Sequence, residues 1–164
     1  MDVRTLLLQQ WASCLDKEDW FPPLEKVLEN ITFEQAKWKT SNGEMNSIWE
    51  IVCHLLFYEK RFLMRFLGET ANEPKAENND STFRLPTETL ENWEKTKQEY
   101  FYVHRELEKL LATSELEDLY RQVPGEEHSL VIELKSLAMH NAYHIGQIVF
   151  LSKMQAAWAK RRSF

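Results

Sequence analysis

Between residues 48 and 67, apolar side chains recur at Ile48, Ile51, Val52, Leu55, Phe62 and Phe66. Steps of three and four place these residues on one face of an α-helix and on both faces of a strand, so the period selects the helix. The segment carries its own boundaries. Asn46 or Ser47 can act as N-cap, Glu50 is placed to complete a capping box, and Gly68 can end the helix in the left-handed conformation that other residues resist.

The same period returns along the chain. Leu6, Leu7, Gln10, Trp11, Cys14 and Leu15 predict a first helix over about residues 2–16. Asp19-Trp20-Phe21-Pro22-Pro23 interrupts it, and helix resumes through Leu24, Val27 and Leu28; one kinked helix and two separate pieces both satisfy this pattern. Residues 32–44 are of mixed polarity and end in the loop signal Ser41-Asn42-Gly43. Residues 69–84 are polar, with Asn72, Pro74, Asn78 and Asn79, and read as a long mobile connection. Pro86 is read as the start of a third helix whose core stripe is Leu90, Trp93, Tyr100, Val103, Leu107, Leu110 and Leu111. After the loop at 123–128, Ser129 introduces a last helix carrying Leu130, Leu134, Leu137, Ala138, Ile145, Ile148, Leu151 and then Trp158. With only 4 Gly and 5 Pro to break these runs, the expected fold is all-α. It is a four-helix bundle with a long crossover between helices 2 and 3, in a single domain over residues 1–164.

Charge and hydropathy exclude several classes of function. The net charge is −6, and the basic cluster Lys160-Arg161-Arg162 reads as a solvated tail, so no nucleic-acid partner is expected. No apolar run approaches the roughly 18 residues that cross a bilayer, and no membrane association is expected. The beginning of the chain lacks a signal-peptide pattern, and its 2 cysteines form no CxxC pair. A cytoplasmic protein with free thiols is the expectation.

Chemistry enters through His140 and His144. Four residues apart on a helix, they project from one face with Cβ atoms about 6 Å apart, close enough to share a divalent cation. Both fall among the apolar positions of their helix, where an unpartnered ring nitrogen is costly. His54 lies on the inward stripe of the second helix, so packing of the two helices would bring three imidazoles together. Histidine pairs of this spacing also arise as hydrogen-bonded structural residues, and spacing alone does not separate the two readings. Gly146, inside the same helix, costs about 1 kcal/mol relative to alanine and suggests close approach of another backbone.

Two motifs narrow the reading. The stretch Ser47-Ile48-Trp49-Glu50-Ile51-Val52-Cys53-His54-Leu55, followed by His140-Asn141-Ala142-Tyr143-His144-Ile145-Gly146-Gln147-Ile148, resembles the DinB-like (YfiT-like) superfamily. That family has a helix-2 histidine after a Ser-Ile-x-Glu start and HxxxHxGQ on its last helix. Residues 28–36, Phe62-Leu63 and Leu67-Gly68 extend the resemblance over nearly the whole chain. It implies a four-helix bundle, frequently a homodimer, that binds a divalent metal through His54, His140 and His144. Relatives include transferases and isomerases that use low-molecular-weight thiols such as bacillithiol or mycothiol, and proteins labelled metal-dependent hydrolases. The DNA polymerase that shares the family name is unrelated, and nothing in this sequence points to its chemistry.

A cation on three histidines would keep a position open for water or a thiol and lower its pKa. Zinc, nickel and ferrous iron all suit imidazole. Gln147 and Glu50, each about one turn from a histidine, are the candidates for supporting the site or touching substrate, though Glu50 also suits a capping role. Tyr58 and Tyr143 read as packing residues, and His104 and His128 as surface histidines. Cys14 reads as a small core residue. The expected function is therefore metal-dependent thiol transfer to a small electrophile, or hydrolysis; a non-catalytic bundle that binds metal or ligand is the alternative. The apolar surface on the third and last helices favours a homodimer. Cys53 points about 100° around the helix from His54. Cys53→Ser is therefore expected to leave bound metal unchanged by elemental analysis, and loss of metal would make Cys53 a ligand.

Overall fold

α4 (Ile48–Leu67) begins and ends at its sequence signals. The Ser47 hydroxyl accepts the Glu50 N–H at 3.2 Å, and the Glu50 carboxylate accepts the Ser47 N–H at 2.7 Å. At the other end Gly68 takes φ 76°, its N–H bonds Arg65 O at 3.2 Å, and the Glu69 N–H bonds Met64 O at 2.8 Å. These paired bonds satisfy carbonyls that a helix end otherwise leaves bare.

The computed structural model describes residues 2–41 and 43–158. The basic tail at 160–162 and Asn42 of the loop signal lie outside the described residues. The rest is all-helical. Besides α4 it contains α1 (Val3–Leu15), α2 (Leu24–Leu28), α3 (Phe33–Lys37), α5 (Leu90–Thr113), α6 (Leu116–Tyr120) and α7 (Leu130–Met154). Among the described residues there is no strand, only an isolated bridge between Gln122 and Ser129. Short 3-10 turns at 70–72 and 80–83 shape the segment between α4 and α5.

Residues 16–23 are not helical and Pro23 is the extended N-cap of α2, so of the two arrangements left open the first helical region takes the two-piece one. Several other expectations need correction. Leu6 and Gln10 of the proposed α1 stripe are exposed, while Leu7, Trp11, Cys14 and Leu15 are buried. α3 forms within the stretch of mixed polarity at 32–44, where Thr32 and Gln35 make a complete capping box before it. α5 starts at Leu90 rather than near Pro86, because the Thr89 hydroxyl accepts the Asn92 N–H at 3.2 Å and caps it there. Leu90 is exposed as a result. α7 stops at Met154 and Ala156 turns the chain with φ 54°, which places Trp158 beyond the helix.

α4 packs against both α5 and α7, and α1 completes contacts with α5 and α7 from the opposite side. Trp11, Trp49, Trp93, Tyr100 and Phe62 are fully buried between them. The four long helices meet at Glu59, whose side chain is 0% exposed. Its Oε1 lies 2.8 Å from His104 Nδ1 and accepts Asn141 Nδ2–H at 2.7 Å. The Nε2 of His104 faces the Trp11 carbonyl at 3.0 Å, and the Trp11 indole donates to the His104 carbonyl at 3.0 Å. The two rings stack at 4.1 Å. His104 is thus a core residue, not a surface one: Tyr100, Val103 and Leu107 share its face, and it belongs to their stripe. His104→Leu leaves the buried Glu59 carboxyl with the Asn141 amide but without its imidazole partner. A loss of about 3–5 kcal/mol in unfolding free energy is expected from denaturant titration. A change under about 1 kcal/mol would show that the carboxyl is reached by water or otherwise satisfied.

Candidate metal centre

His54 projects from α4, and His140 and His144 project from α7, into the seam where these helices pack. One ring nitrogen from each lies within 4.8 Å of the other two, a grouping that could hold a metal ion. The Nε2 atoms of His54 and His140 stand 2.9 Å apart, and the His144 ring centroid lies 4.7 Å from that of His54 and 4.5 Å from that of His140. His54 and His144 are buried and His140 is half-buried.

The surroundings hold two of the rings in fixed orientation. Gln147, one turn on in α7, presents Oε1 to His144 Nδ1 at 2.7 Å. Thr82 Oγ1 sits 2.5 Å from His54 Nδ1, and Phe83 stacks on the His54 ring at 3.9 Å with 10° between planes. Thr82 and Phe83 come from the connection between α4 and α5, which was expected only as a mobile link; the turn at 80–83 instead packs on α4. His140 differs, because its Nδ1 is buried without a hydrogen-bond partner.

Burial controls protonation. It pushes the His54 imidazole down to about 3, helped by repulsion from His144 and His140. It pushes His140 down to about 4, with His144 adding to the effect. His144 is also lowered by burial, against a hydrogen bond to the Gln147 side-chain oxygen that works the other way. All three rings are therefore neutral near pH 7 and offer lone pairs, the form a cation requires. The donor set fits a divalent metal of the zinc, nickel or ferrous type.

The other candidates fall into place around the cluster. Glu50 Oε2 bonds the Ser47 N–H and Oε1 pairs with Lys39 Nζ at 2.7 Å, so both oxygens are committed at the start of α4. Tyr58 packs edge-on to His54 at 4.9 Å and to His140 at 5.2 Å, and its hydroxyl donates to Asn79 Oδ1 at 3.1 Å. Tyr143, expected in the packing, is 64% exposed with its ring 5.0 Å from His144. Among the described residues nothing lies within 4 Å of where a Gly146 Cβ would stand, so the close backbone approach expected there is not found; it faces an open cleft beside Tyr143 and Phe150. Cys53 is half-buried, and burial together with the Glu50 charge pushes its thiol up to about 12. Cys14 is buried and is likewise pushed up to about 12, mainly by burial. His128 is half-buried, 3.5 Å from Glu133. Sequence reasoning missed Thr82 and Phe83, which carry no periodic signal in a polar segment, and Glu59, which a charged residue's usual exposure conceals.

A profile of the DinB superfamily matches residues 23–148, spanning α2 to α7 and all three histidines. The chain belongs to the DinB superfamily. No curated protein matches it, and no solved structure does.

The lowered imidazole values set the pH response of the metal-free protein. Unfolded histidines take up protons near pH 6.5, whereas folded His140 and His54 do so only near 4 and 3. In that window the unfolded chain binds more protons, so stability falls as pH falls from about 6.5 towards 3. The melting temperature measured with chelator is expected to drop across this range, more steeply in the wild type than in a His54→Phe, His140→Leu double variant. Parallel curves would show that the cluster is solvated.

Proposed function

We propose that this DinB superfamily protein binds one divalent cation through His54, His140 and His144 and uses it on a small molecule. The reaction would be transfer of a low-molecular-weight thiol to an electrophile, with hydrolysis as the near variant. The observation that carries this reading is the convergence of three neutral imidazoles, two of them oriented by Thr82 and Gln147. When bound, the cation would act as a Lewis acid that lowers the pKa of a coordinated water or thiol. The chain's own part is to hold and dry the site. Thr82 and Gln147 keep a ring nitrogen of His54 and of His144 bonded on the side away from the cluster, while Phe83 and Tyr58 cover His54 with apolar ring surface. A cleft of about 600 Å³, bounded by Phe57, Tyr58, Arg61, Asn79, Thr82 and Pro124, is separated from the histidines by Tyr58 and Thr82, the two of its lining residues that touch His54. That volume suits a small-molecule substrate.

The same reading takes the four long helices as a four-helix bundle crossed over by residues 68–89, and places the protein in the cytoplasm. The free thiols of Cys14 and Cys53 support that location. No helix among the described residues is long and apolar enough to cross a membrane. A homodimer completes the proposal, with Ile132, Met139, Tyr143, Phe150 and Met154, all exposed on α7, as apolar surface for a second copy.

One observation favours a non-catalytic metal- or ligand-binding role instead. The polar groups around the histidines are already engaged: Thr82 with His54 and Asn79, Gln147 with His144, and Tyr58 with Asn79, while the candidate Glu50 is held by Ser47 and Lys39. His144→Ala separates the readings. It should remain helical by circular dichroism, lose most bound metal by elemental analysis, and lose any thiol-transferase or hydrolase activity of the wild type. Turnover by the variant or by metal-free protein at the wild-type rate would make the cation incidental to catalysis. For assembly, light scattering is expected to return twice the 19.6 kDa chain mass, and the monomer mass at micromolar concentrations would contradict the dimer.

A further inference from the structure

We propose that Thr82 sets the tautomer of His54 and thereby makes the turn at 80–83 a working part of the histidine cluster. The argument is a count of hydrogens. A threonine hydroxyl carries one hydrogen and two acceptor sites. The Thr82 hydroxyl lies 2.5 Å from the Asn79 carbonyl oxygen, which can only accept, so its hydrogen is given there. Towards His54 Nδ1, also at 2.5 Å, the hydroxyl can then only accept. Nδ1 must therefore carry the ring proton, and the lone pair of neutral His54 is left on Nε2, the nitrogen 2.9 Å from His140 Nε2. The opposite tautomer would point an N–H into the cluster and set a bare Nδ1 against Thr82. That would pull the hydroxyl hydrogen away from Asn79, whose carbonyl would keep only the Thr82 N–H at 3.1 Å and would face the hydroxyl oxygen at 2.5 Å with no hydrogen between them.

The position of Thr82 gives this bond a wider consequence. Gln147 fixes His144 from within the same helix, but Thr82 reaches His54 from 28 residues away in sequence. Thr82 is 6% exposed, and Phe83 next to it lies flat on the same imidazole, so water has little room to replace the hydroxyl. The docked turn selects the tautomer that presents Nε2 to the cluster, and a cation held there favours the docked turn by the same free energy. Thr82 is a positioning residue: it acts on the cluster through His54.

The test compares wild type, Thr82→Val, which keeps the shape and removes the hydroxyl, and Thr82→Ser, which keeps the hydroxyl. Nitrogen-15 NMR of the metal-free proteins reads the tautomer, and titration with Zn²⁺ alone reads the affinity. Wild type and Thr82→Ser should show His54 protonated at Nδ1 and bind Zn²⁺ within a few-fold of each other. Thr82→Val should show a mixed or reversed tautomer and bind about 10–100-fold more weakly. A wild-type His54 protonated at Nε2, or Thr82→Val with unchanged tautomer and affinity, would overturn the inference. The affinity arm rests on the proposed metal site, but the tautomer arm does not. Wild type that takes up no Zn²⁺ defeats the metal site while the tautomer spectra still decide the role of Thr82.

Discussion

A carboxyl group shut away from water dictates much of this architecture. Glu59 can be buried only if donors come to it, and they come from different helices: His104 from α5 and Asn141 from α7, with Trp11 of α1 holding the far side of the His104 ring. The Nε2 of His104 faces a carbonyl and so carries a hydrogen, which means one further proton lies between Nδ1 and Glu59. Whichever side holds that proton, the pair is neutral as a whole. A buried pair of this kind adds little net stability over apolar packing, but it tolerates few alternative registers, because a shifted helix strands a polar group. Asn141 adjoins His140 in sequence, so the bond it gives to Glu59 Oε1 also fixes the rotation of α7 that turns His140 and His144 towards His54.

A second polar knot works at the C-terminal end of α4. Buried Arg65 bonds Glu73 at 3.2 Å, Glu126 at 3.3 Å and Glu133 at 2.8 Å, drawing together the segment after α4, the loop before α7 and the first turn of α7. With that segment held at Glu73, the turn at 80–83 can return to cover His54. Phe83, flat on His54, and Tyr58, edge-on to His54 and His140, help to remove water from the imidazoles, and burial keeps them uncharged. Neutral histidines in a dry seam are costly to protonate and ready to bind a cation, so packing and chemistry follow from one arrangement.

The helices were legible because their period is a local property. Ile48 to Phe66 announced α4, its capping box and its glycine stop, and the pair His140 and His144 announced a shared face. His54 could be joined to them because its stripe faced inward. What stayed hidden depends on partners distant in sequence. Nothing around Thr82 in its polar stretch signals that it lies against His54, and Glu59 reads as one more charged helix residue until α5 and α7 are packed on it. His104 was misassigned because the charged residues beside it outweighed its place on the stripe of Tyr100 and Leu107. The extra α5 residues given to Pro86 and the extension of α7 to Trp158 were boundary errors, decided in the structure by the Thr89 cap and the turn at Ala156.

The central claim is that one cation is held by three imidazoles drawn from two helices. X-ray absorption spectroscopy of protein loaded with one equivalent of Zn²⁺ tests it directly. The account requires three histidine nitrogens at about 2.0–2.2 Å, with the multiple-scattering signature of imidazole. A spectrum dominated by sulfur, or one with fewer than three imidazoles, would contradict it.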